Sequence, residues 1–374
     1  MTKTFGTVAA LLGVAGAVAF LPAQDPKPVA DWQATVDKGI ACLKTTQEDG
    51  GGWSTKKSIG VTGVVTTGLL QCGVSPDAAP AAQGLAFIET LVNPKAGHIA
   101  GADPKMGLQN YVTSVNVMAL AAAKRDAKYK PAVGNAAEFL KKLQWDDSEQ
   151  KAQSDDYYGG AGYDSKSRPD LSNTQFFLEA LKDAGVPAND PAFTKAAVFV
   201  SRCQNLKSEF NDRPWAGAIN DGSFIYSAAG GGSTKTTDDP KASLTGYGSM
   251  TYAGVKSLIY AGVSKDDPRV KTAVEWLKKH YTTDANPGMP PQFSQRGLYY
   301  YYHTMAKTLD LLGNDTFTDA AGVKHDWRAD ILAALAKRQR PDGSWLNETD
   351  RWLEGDPNLV TGYALMALSH CKKK

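Results

Sequence analysis

Two kinds of apolar pattern alternate along the chain. In the first, apolar residues recur every three or four positions among charged ones, and the run ends near a Gln or an equivalent polar residue. Segments 31–47, 130–144, 190–204, 267–281 and 327–339 follow it, with a weaker copy at 79–92. The second is nearly uncharged and rich in Gly, Ala, Thr and aromatics, at 60–72, 110–123, 171–184, 244–261, 298–312 and 359–371. A helical period with one polar face predicts a surface helix, and one apolar nearly all round predicts a buried helix. Six outer helices strictly alternating with six inner ones predict a closed ring of helical hairpins, an all-α fold. Cap-type residues at Ser75-Pro76-Asp77, Asn189-Asp190-Pro191 and Asp266-Asp267-Pro268 fit helix starts, and Gly73, Gly185 and Gly262 fit left-handed helix ends.

An irregular Gly- and aromatic-rich loop precedes each inner helix. Because the hairpins share one orientation, these loops are expected at one end of the ring. The longest spans 205–243, beyond the usual connection length, and long loops in compact domains tend to carry function. Trp215 and Tyr226 within it are candidates for a lid.

Composition adds exclusions. With 41 Lys+Arg against 39 Asp+Glu, nothing calls for a nucleic-acid partner. Lys3, the apolar run 5–20 and Leu21-Pro22-Ala23 are expected to form a signal peptide over 1–23, since the run is shorter than the ~20 residues of a spanning helix. A single domain over 24–374 would follow, exported to the periplasm or the extracellular space, with no transmembrane segment after cleavage. The four cysteines, Cys42, Cys72, Cys203 and Cys371, form no CxxC motif. Cys72 and Cys371 occupy matching offsets in the first and last inner segments. Ring closure would make them neighbours, yet helix axes ~8–10 Å apart strain a disulfide, so the pairing stays open.

Lys38-Gly39, Leu43, Gln47, Gly51 and Trp53 follow the spacing of a QW motif, and Leu335, Gln339, Gly343 and Trp345 repeat it. Degenerate copies lie at Leu140/Gln144 with 160–163, and at Val200/Gln204 with 221–224. Gln is expected to cap carbonyls at the helix end and the aromatic ring to staple the next repeat. In these motifs and in the six-fold helical repeat, the chain resembles the squalene cyclase and protein prenyltransferase superfamily. That resemblance implies an (α/α)6 toroid whose central cavity holds an isoprenoid chain.

The superfamily's chemistry is only partly matched. Protonation-initiated cyclases carry Asp-x-Asp-Asp-Thr at the start of an inner helix, with the middle Asp as acid. The corresponding stretch here is Asp170-Leu171-Ser172-Asn173-Thr174, and a serine hydroxyl is far too weak an acid to protonate an alkene. The prenyltransferase zinc site is matched only by Tyr302-His303-Thr304, because 245–250 lacks the Asp-x-Cys. The thioester proteins that share this ring need Cys-Gly-Glu-Gln, which Cys72-Gly73-Val74-Ser75 does not supply. No metal or other cofactor is expected.

Asp170 is read either as a helix cap or as a ligand contact or acid/base group, with Ser172 and Asn173 beside it. Among Tyr299-Tyr300-Tyr301-Tyr302-His303, one or two rings must face the cavity, and Tyr302 and His303 are the candidates. Asp155, Asp156 and Asp239 are alternative acids, against the reading that they are merely solvated. The leading expectation is an exported toroid that binds an apolar, isoprenoid or lipid-like ligand. The alternatives are an active terpene-cyclase-like enzyme with a different acid, or an envelope scaffold whose loops bind protein or glycan.

Overall fold

A computed structural model of the chain describes residues 1–2, 30–102, 108–239 and 241–372. The expected leader falls outside them except for its first two residues. The helices form six pairs, outer then inner. They are α1 (Trp32–Thr46) and α2 (Gly60–Gln71), α3 (Ala81–Thr90) and α4 (Gln109–Ala122), α5 (Asp126–Lys141) and α6 (Leu171–Asp183). After α7 (Pro191–Arg202) the long loop carries the short α8 (Pro214–Ala218) before the inner α9 (Gly248–Tyr260). The last pairs are α10 (Pro268–Lys279) with α11 (Leu298–Leu312), and α12 (Trp327–Arg338) with α13 (Pro357–Ser369). A two-stranded ribbon, Phe317–Thr318 with Lys324–His325, bridges α11 and α12.

The inner helices pack in the cycle α2–α4–α6–α9–α11–α13 and back to α2, so the fold is an (α/α)6 toroid. The expected boundaries hold within three residues except at α5, which begins at Asp126 rather than 130, and α9, which begins at Gly248 rather than 244. Asp190 and Asp267 cap α7 and α10, each followed by Pro. Ser75-Pro76-Asp77 instead lies in a turn ahead of α3, whose first helical residue is Ala81. Gly73, Gly185 and Gly262 end inner helices with φ of +95°, +75° and +81°. At each, two backbone N–H groups turn back onto the last turn, for example Gly73 onto Leu70 and Val74 onto Leu69, the paired bonds of a left-handed cap. All four cysteines are free thiols. Cys72 donates to the Leu365 carbonyl at 3.2 Å, so packing and not a disulfide joins α2 to α13.

The Gln-bearing turns reverse the roles expected of their side chains. The indoles satisfy helix-end carbonyls: Trp53 Nε1 donates to Leu43 at 2.9 Å and Trp345 Nε1 to Leu335 at 2.8 Å. The glutamines reach the next repeat. Each amide donates once within its own turn and once to the first residues of the following outer helix: Gln47 to Pro80, Gln144 to Ala192, Gln204 to Arg269 and Gln339 to Thr35. The last of these closes the outer ring. A glycine with φ near +85° lies in each turn, at Gly51, Gly159, Gly222 and Gly343. It presses on the same following helix, and a Cβ on Gly343 would come within 2.3 Å of the Lys38 carbonyl oxygen.

This contact makes Gly343→Ala destabilising by at least about 2 kcal/mol, from the left-handed backbone and the backbone collision together. Gly134, exposed inside α5 with nothing near its Cβ position, is the control. Gly134→Ala is expected to stabilise by up to ~1 kcal/mol, both being read from urea midpoints at constant m.

Candidate ligand cavity

All six inner helices begin at the same end of the ring, and their first turns surround a cavity of about 370 Å³. Six tyrosines dominate its wall: Tyr111 from α4, Tyr163 and Tyr226 from the loops before α6 and α9, Tyr247 at the cap of α9, Tyr300 from α11 and Tyr363 from α13. Aliphatic contributions come from Val61, Val64, Leu108, Met250 and Leu359. Trp352 and Leu353 stand at the rim, both in left-handed backbone with φ of 57° and 67°. Trp352 is 40% exposed and lies over Gly297, where a Cβ would meet its ring at 3.1 Å.

The polar atoms of the wall are largely engaged with one another. The hydroxyls of Tyr111 and Tyr363 share a hydrogen bond of 2.7 Å, and Ser172 Oγ donates to the Tyr300 hydroxyl at 3.3 Å. Lys57 pairs with Asp356 at 2.8 Å. Glu354 accepts from the Tyr300 backbone N–H at 2.8 Å and from Asn347 Nδ2 at 2.6 Å. It thereby caps α11, whose own cap position is Gly297 and supplies no side-chain bond.

Asp170 is buried at the start of α6. One carboxylate oxygen accepts from the Asn173 N–H at 2.8 Å and the other from Asn173 Nδ2 at 2.9 Å. Burial raises its pKa, against the bonds from Asn173 and the Tyr226 hydroxyl. Asp170 therefore caps α6 just behind the wall, while Ser172 is the member of the Asp170–Asn173 stretch that lines the cavity. Asn173 is itself buried, and Asn110 Nδ2 approaches its side-chain oxygen at 3.5 Å.

Of the four successive tyrosines only Tyr300 faces the cavity. The helical turn carries the Tyr302 hydroxyl outward to the Thr283 carbonyl. Three residues beyond Tyr300, His303 lies deeper on the inner face, stacked between Phe176 and Tyr363 with ring centroids 6.1 and 5.9 Å away. Neither ring nitrogen of His303 has a hydrogen-bond partner. Burial, with Lys256 adding to it, pushes its pKa down to about 3, so it is a neutral part of the floor. Beneath it Glu179 pairs with Lys256, both fully buried, and approaches Lys307 at 3.4 Å. Burial opposes the Glu179 charge, but the two ammonium groups hold its carboxyl well below the usual range.

The other acids lie elsewhere. Asp155 and Asp156 line a separate surface recess, paired with Lys151 at 3.2 Å and Arg213 at 2.6 Å. Only the later part of their loop, at Tyr163, reaches the axis. Asp239 is exposed and accepts from the Lys241 N–H at 2.9 Å. Trp215 is buried and caps the Arg202 carbonyl at 2.9 Å, leaving Tyr226 as the long loop's contribution to the wall. Among the described residues no three His, Cys, Asp or Glu side chains converge as metal ligands would.

Glu354 had no motif to reveal it in the sequence. Burial lifts its carboxyl from 4.5 to about 7, against bonds from Asn347 and the first N–H groups of α11. A carboxyl raised in the folded state contributes stability that is present below pH ~4.5 and lost as pH rises through ~7. Melting temperatures across pH 5–8 should therefore show an acid-side advantage in the native protein that Glu354→Gln removes.

No family model matches the chain, and no curated protein matches it in sequence. Solved structures do share its shape. A type II terpene cyclase from Scytonema in complex with geranylgeranyl dihydroxybenzoate aligns with a TM-score of 0.54 at 13% identity, over 91% of this chain and 97% of that one. D-mannose isomerase aligns with 0.54 at 13%, over 92% and 99%. A protein from Actinoplanes gives 0.51 at 17%, over 91% and 99%. At such identities the likeness is one of fold, and it identifies the chain as an α/α toroid.

Proposed function

We propose that this chain binds a small, predominantly apolar ligand, isoprenoid or lipid-like, in the cavity at the loop end of the toroid. The observation that carries the reading is the wall itself. A cavity of about 370 Å³ is lined by tyrosine rings and aliphatic side chains, within the size range of small-molecule sites. The fold does not choose the ligand, since both the terpene cyclase and the sugar isomerase are similar to it. The wall's polar groups favour the apolar choice. A sugar needs converging, unsatisfied donors and acceptors, whereas here Tyr111, Tyr363, Ser172, Tyr300, Lys57 and Glu354 are already bonded within the protein.

The chain works in this reading as a single toroid exported behind a cleaved leader at 1–23. Among the described residues no helix is long and apolar enough to cross a membrane. A second reading, catalysis of terpene-cyclase type, has one supporting observation. Glu354 brings a carboxyl to the wall whose burial favours the protonated form. Ser172 cannot serve as the acid, and Asp155, Asp156 and Asp239 are not on the wall.

The test is mass spectrometry of an organic extract of the mature protein purified from its native envelope. A stoichiometric isoprenoid or lipid is expected. Ser172→Phe, which drives a ring into the cavity, should reduce that ligand by about tenfold or more, the loss of roughly 1.4 kcal/mol of binding, in protein that still melts cooperatively. A clean extract from folded wild-type protein would defeat the reading and turn attention to protein or glycan partners of the loops.

A further inference from the structure

The rim of the cavity is electrostatically unfinished. Lys235, from the end of the long loop, lies half-buried with its ammonium 4.4 Å from the centre of the Tyr226 ring. Arg168 reaches the same region from the loop before α6, where it donates to Ser233 Oγ at 3.2 Å. Arg351 arrives from the loop before α13 and lies over Trp352, its Cζ 5.6 Å from the ring centre. Fifteen other lysines and arginines have a carboxylate partner, whereas these three have none within 4.0 Å among the described residues.

Lys235 feels the other two cations. Burial lowers the Lys235 pKa most, and the charges of Arg168 and Arg351 lower it further; Asp170, buried behind the wall, and exposed Asp238 act the other way. Asp238 is turned toward Arg296 at 3.8 Å, and Glu354 is occupied by the N-terminus of α11. Three elements thus bring like charges together beside an apolar cavity, where an anion would relieve their repulsion with charge-assisted bonds.

We infer that the cavity ligand is an anionic amphiphile, its apolar chain among the tyrosines and its carboxylate or phosphate head held at the rim by Lys235, Arg168 and Arg351. This rests on the apolar-ligand reading and narrows it. A neutral terpene or a free sugar would leave the rim cations as they are. A carboxylate and a phosphate both present anionic oxygen acceptors, which lysine and arginine recognise by the same charge-assisted bonds.

The test uses the delipidated mature protein and one C15 chain with three heads: farnesol, farnesoic acid and farnesyl phosphate, titrated by calorimetry. The anionic compounds are expected to bind on the order of tenfold more tightly than farnesol, the worth of one charge-assisted bond. That advantage should shrink as salt rises. Lys235→Met keeps an unbranched stem over Tyr226 and removes the charge. It should abolish most of the advantage without weakening farnesol, whereas a loss of fold would weaken all three alike. The preferred anion identifies the head group. Equal affinity for farnesol and the anions, or an advantage that survives both Lys235→Met and the Arg168→Gln/Arg351→Gln pair, would overturn the inference and leave the apolar cavity standing. No binding by any of the three would overturn the cavity reading as well.

Discussion

Closure between the first and last inner helices is the constraint on which the rest depends. An inner helix that is apolar nearly all round has no stable place in an open row, since its last member would face water. Here α13 lies against α2 at a separation that only small residues permit. A Cβ on Gly68 would meet the Gly362 carbonyl oxygen at 2.9 Å, and one on Gly362 would meet α2 backbone at 3.2 Å. The outer ring closes at the same seam through Gln339 to Thr35 and Trp32 to the Leu368 carbonyl. Every other repeat can repack locally, but the seam joins residues some 300 positions apart, and loop-closure entropy must be overcome there.

Closing six helices into a ring leaves an axis to fill, and the two ends are filled differently. At the far end Glu179, Lys256 and Lys307 occupy it as a buried ionic group. Such a group contributes little net stability, because desolvation offsets the attraction, but removing one member would strand a charge. At the loop end the same helices present Tyr300, Tyr363, Ser172 and Val64 and leave space between them. His303 and Phe176 separate the two regimes. The cavity is therefore a blind pocket open at the loops, and its chemistry is set by side chains from the first turns of the helices.

The loops then decide what meets the pocket. Their Gln-Gly turns are consumed by architecture, each binding the next outer helix, so the variable stretches beyond those turns carry the rim. Trp352 and Leu353 in successive left-handed conformations show a backbone held by its surroundings at the mouth, a kind of strain that collects at ligand sites.

The sequence by itself determined the order and orientation of the twelve ring helices, though not the short α8 inside the long loop, because a 3.6-residue period and the Gly, Pro and Asp signals are local properties of the chain. It also placed Ser172 near the start of an inner helix, within the stretch that resembles a cyclase acid motif. Only the tertiary structure decided which side chains share the cavity. Tyr300 rather than Tyr302 faces inward because the α11 register is fixed by packing against α9 and α13. Glu354 reaches the wall because α11 lacks a cap of its own and takes one from a loop 54 residues away. Gln47 and Trp53 were recognisable as a motif, yet whether each bonds its own helix or the next one depends on how neighbouring repeats meet. The gathering of Lys235, Arg168 and Arg351 was invisible for the same reason: three loops far apart in sequence converge only when the ring closes.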